Sequence, residues 1–108
     1  MSNKALTFIK SELEHLWSDL YAAERSSRAY DPNIPSVAME SIMERIKSAT
    51  AIVGPINWMH VPTRFIKTGR YEHWAKCMGI EYELPTNEEF SIFVEGQKSW
   101  IKSLQSRG

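Results

Sequence analysis

Cysteine is almost missing from this chain. Cys77 is the only one, so no intramolecular disulfide can form and nothing calls for an oxidising compartment. A cytosolic setting is the expectation. Long apolar runs are missing too. Lys4, Lys10, Glu12 and Glu14 break up the N-terminal stretch, and nothing approaches the roughly 20 apolar residues that span a bilayer. Neither a signal peptide, nor a transmembrane segment, nor a membrane partner is expected. Glycine is sparse, and its five positions, 54, 69, 79, 96 and 108, are scattered. That spacing excludes a glycine-rich phosphate loop and a nucleophile elbow. A surplus of one charge sign is also lacking, because Lys plus Arg and Asp plus Glu each total 13. With no overall field toward nucleic acid or an anionic surface, any electrostatic function must be local.

What is present suits a globule. The 108 residues are 43% hydrophobic and 24% charged, which is ordinary usage for a folded chain long enough for one core and too short for two. A single α-helical domain over 1–108 is expected, without internal repeats.

Helical periodicity dominates. Leu6, Ile9, Leu13, Leu16, Trp17, Leu20 and Tyr21 share one face of a helix expected from about Lys4 to about Arg28, ended by the prolines at 32 and 35. Glu12, Glu14, Asp19 and Glu24 are read as its solvated side. A second helix starts near Pro35 or Ser36, buries Met39, Ile42, Met43, Ile46, Ala49 and Val53, and stops at Gly54-Pro55. Residues 56–61 form a connector carrying Trp58 and Met59. From Pro62 to Met78 the apolar residues fit no single wheel, so the third helix is expected to break near Gly69, with Tyr71, Trp74 and Met78 on one face after it and Gly79 as its stop. Ile80, Tyr82 and Leu84 alternate with Glu81 and Glu83 as an extended linker. Thr86-Asn87-Glu88-Glu89 is a capping box, opening a last helix striped by Phe90, Phe93, Val94, Gln97, Trp100, Ile101 and Leu104. The fold class is therefore all-α, a compact bundle of four helices with the third broken.

Few residues point to chemistry. His73 and Cys77 stand four apart, close enough on one helix for two zinc ligands or a thiol and its base, but a structural zinc site takes four ligands. His15 and His60 have no Cys or His partner at such spacing. The plainer reading is a buried cysteine beside a partly exposed histidine, with no metal, no cofactor, no catalytic residue and no enzyme.

Charge is nonetheless segregated. Arg45, Lys47, Arg64, Lys67, Arg70 and Lys76 face only Glu72 between 45 and 76, whereas Glu81, Glu83, Glu88, Glu89 and Glu95 face no base between 79 and 95. Arg64, Lys67, Arg70 and Lys76, with Tyr71 as a base-stacking ring, make one candidate set, for nucleic acid. The competing reading, the favoured one, has Tyr71 and Trp74 as core anchors and the acidic stretch neutralising the basic one inside the fold. The other set is apolar: Phe8 and Ile92 fall outside the buried stripes, and Trp58, Met59 and Phe65 compete for a small core. The leading expectation is a small non-catalytic interaction or regulatory protein, an adaptor, accessory subunit or inhibitor. It would dock a helical aromatic face onto a protein partner or a second copy of itself, as a homo-oligomer. A nucleic-acid-binding regulator is the alternative.

Overall fold

In a computed structural model, the chain is described over residues 3–27 and 31–106, with side chains up to 98. Helix α1 (Asn3–Ser26) is followed by α2 (Val37–Val53), a 3-10 turn at Trp58–His60, the short α3 (Thr63–Lys67), α4 (Arg70–Met78) and α5 (Asn87–Ser106). The expected all-α bundle is what forms, and α3 and α4 are the two pieces of its broken third helix. Gly69 makes the break at φ 76°, ψ 5°, a left-handed conformation that only glycine adopts without steric cost.

Local chemistry sets the boundaries. The Ser36 hydroxyl accepts from the Met39 amide at 3.2 Å and opens α2. The box at the start of α5 closes reciprocally: the Glu89 amide donates to Thr86 Oγ1 at 3.1 Å and the Thr86 amide donates to Glu89 Oε1 at 3.0 Å.

Helices α1 and α2 run antiparallel and bury their apolar stripes against each other. Leu13, Leu16, Trp17 and Leu20 from α1 meet Met39, Ile46 and Ala49 from α2, while Ile56, Val61, Phe65, Tyr71, Trp74 and Ala75 close the core from the other side. Trp17 stands edge-on to Tyr71, with centroids 4.6 Å apart, and to Phe65 at 6.3 Å.

Glu24 is not on the solvated side of α1. Its carboxylate accepts from Arg70 Nε at 3.0 Å and from the indole nitrogen of Trp74, and its side chain is only 19% exposed. Arg70 continues to Asn33 Oδ1 at 3.1 Å and the Pro32 carbonyl at 2.6 Å, with its guanidinium over the Trp74 ring. This clamp joins the end of α1, the 31–35 turn and the start of α4. Glu12 and Glu14 also have partners, Arg45 at 2.6 Å and His60 at 3.7 Å.

After Gly79, residues 80–86 form neither helix nor strand. Ile80 and Tyr82 lie against the core, and Tyr82 meets Tyr71 edge-on at 6.3 Å. Beyond this strap, α5 is peripheral: among the described residues it contributes nothing to the buried core, and Phe90, Phe93 and Val94 are only half-covered.

Candidate functional site

The surface that the fold leaves unfinished lies where the connector meets α5. Asn57 caps the 3-10 turn by accepting from the Met59 amide at 2.9 Å, which fixes Trp58 and Met59 side by side. Trp58 then stands edge-on to Phe93 of α5, centroids 5.2 Å apart. That is the ring contact joining α5 to the rest of the molecule among the described residues. Met59 remains 47% exposed. Ile92, about 100° around α5 from Phe93, is 67% exposed. Thus Trp58 and Phe93 form one half-covered aromatic contact, the first followed and the second preceded in sequence by an exposed apolar residue, Met59 and Ile92.

Phe8 is 68% exposed on α1. A shallow groove of about 350 Å³ lies between Ile9 and Leu16 of α1 and Ala49 and Ile52 of α2, bridged by the Glu12–Arg45 pair. Phe65 corrects its expected surface role. It is fully buried among Trp17, Tyr21 and Tyr71, because the break at Gly69 lets α3 turn this ring inward.

The basic set does not assemble as expected. Tyr71 is 1% exposed and cannot stack on a base. Its hydroxyl is pushed up to about 12 chiefly by burial, against a hydrogen bond from the Glu83 backbone. Arg70 is held in the clamp, and Lys76 pairs with Glu72 at 3.0 Å, whose hydrogen bond and charge raise its pKa. Only Arg64 and Lys67 of that set are exposed without an ion pair among the described residues. None of the molecule's described ion pairs joins the basic 45–76 stretch to the acidic 79–95 stretch. The two stretches are therefore not neutralised through ion pairs with each other.

His73 and Cys77 do meet, with Sγ and Nε2 3.7 Å apart, but the cysteine is exposed rather than buried. Among the described residues no group of three or more His, Cys, Asp or Glu is placed to hold a metal, and no helix is long and apolar enough to cross a membrane. No known family, curated protein or solved structure matches this chain.

Proposed function

We propose that this chain is a small non-catalytic interaction module, an adaptor, accessory subunit or inhibitor, that docks on protein through the face formed by Trp58, Met59, Phe93 and Ile92. One observation carries the reading. A long amphipathic helix, α5, presents an aromatic stripe yet supplies no buried residue among those described. Helical stability in proteins comes mostly from packing an apolar face, and a face left open on a folded body marks a contact surface. The cytosol is the setting this reading assigns, in keeping with the exposed free thiol of Cys77. Nucleic acid is the less favoured partner, since Arg70 and Tyr71 are committed to the fold.

The test pairs Met59→Glu with Ile92→Glu, two exposed sites whose substitution should leave the melting curve within about 0.5 kcal/mol of wild type. Affinity purification and light scattering should then show the double variant losing bound protein or assembled mass. A variant that keeps every partner and the wild-type mass would refute the docking face.

A further inference from the structure

We infer that a second site, apart from the α5 face, binds the phosphomonoester group of a small molecule in a hollow where the end of α1 meets α3 and the start of α4. The hollow measures about 290 Å³. Three arginines from three helices line it: Arg25 in the last turn of α1, Arg64 on α3 and Arg70 at the start of α4. Among the described residues, Glu24 is the one acid on its wall.

Charge gives the sign of the ligand. Three guanidiniums against one carboxylate leave two positive charges uncompensated, and that carboxylate is already spent on Arg70 and Trp74. Arg25 and Arg64 are exposed, and neither has an ion pair among the described residues. Arg25 lies over the Tyr21 ring, 5.5 Å from its centroid. That contact orients the guanidinium and leaves its charge and its N–H groups unspent. The dipole at the end of α1 accounts for a cation at Arg25. It does not account for Arg64 and Arg70, from two other helices, lining the same hollow.

The clamp prepares the third arginine. Arg70 donates three N–H groups inside the fold, to Glu24, Asn33 and the Pro32 carbonyl, and a guanidinium has about five. Those bonds hold it in place, so little side-chain freedom is lost when an anion arrives. The guanidinium fork matches phosphate oxygens in pairs. A phosphomonoester carries about −1.5 to −2 at neutral pH, which answers the two uncompensated charges; a carboxylate would leave one of them. The volume falls near the lower end of small-molecule sites, and Tyr21 and Pro32 supply wall for the organic part of the ligand. One concavity with two free guanidiniums suits a single phosphate better than the row of phosphates that a nucleic-acid backbone presents.

Phenyl phosphate is the probe, titrated calorimetrically into the full chain at fixed ionic strength. It should bind saturably, one per chain, and roughly tenfold more tightly than benzoate. Arg25→Gln combined with Arg64→Gln, both exposed and outside the clamp, should weaken binding by more than about tenfold and leave the melting transition in place. Lys10→Gln, an exposed cation elsewhere on α1, should change nothing. Affinity should also fall between about pH 7 and about pH 5, as the phosphate takes up its second proton near pH 6; no histidine lines the hollow among the described residues. Absence of saturable binding overturns the site. So does benzoate binding equally well, or a double arginine variant that binds as wild type does. A single-stranded oligonucleotide that displaces phenyl phosphate at lower concentration, and itself loses affinity in the double variant, overturns the small-molecule assignment and returns these arginines to nucleic acid.

Discussion

The hairpin of α1 and α2 and the lone helix α5 are both amphipathic, and their wheels look equally convincing. Yet Leu13, Leu20 and Ile46 in the hairpin are fully buried, while the best-covered described residues of α5 remain half-exposed. The difference lies in what each stripe meets. The hairpin's stripes meet each other and the aromatic group of Phe65, Tyr71 and Trp74. The seam of α5 meets Trp58. An apolar stripe thus shows that a helix will pack somewhere; it does not say whether the other surface belongs to the same chain.

Truncation separates the two regions. Phe65→Ala removes a ring with no exposed surface and should cost about 3–5 kcal/mol, read as the shift in urea midpoint. A loss below about 1 kcal/mol would mean that the core does not close around this ring. Alkaline pH probes the same side. Tyr71 has a folded pKa raised to about 12 from 10.0, so its contribution is whole below the unfolded value and lost as pH rises through the folded one. Stability should fall by about 2 kcal/mol between pH 10 and pH 12. Tyr71→Phe should flatten that slope; an unchanged slope would place the titrating group elsewhere. The smallest effect belongs to α5. Phe93→Ala, measured on dilute monomer, should cost about 1 kcal/mol and alter the fluorescence of Trp58. A loss as large as that of Phe65→Ala would erase the contrast between the regions.

Much of this was legible in the sequence, and the failures have definite causes. Period and punctuation placed every helix, including the break at Gly69 and the reciprocal box of Thr86 and Glu89. Glu24 was misread although its position was available: it lies eighteen residues after Leu6, about five full turns, on the stripe and not opposite it. The habit of placing carboxylates outside overrode the geometry, and the partners that let it turn inward, Arg70 and Trp74, are 46 and 50 residues away. Phe65 was misassigned for a related reason, whereas Tyr71 went inward as its place on one face with Trp74 suggested. In a helix broken by glycine, each piece keeps its own period, but the sequence does not give the angle between the pieces, and that angle turned Phe65 inward. At the candidate contact surface, Met59 and Ile92 were readable as surplus apolar residues. The pairing of Trp58 with Phe93 was not, because it depends on where the strap from 80 to 86 delivers α5.

The clamp around Glu24 also bears on how the chain reaches its fold. Closing a loop costs entropy that grows only slowly with its length, but a long closure is rewarded only after the intervening chain has been ordered. The hairpin of α1 and α2 needs one short turn. The carboxylate of Glu24 finds Arg70 and Trp74 only after α2, the 3-10 turn and α3 have brought α4 back across the molecule. In kinetic terms the clamp is expected on the late side of the folding barrier, so that Arg70→Ala should speed unfolding more than it slows folding in a chevron measurement.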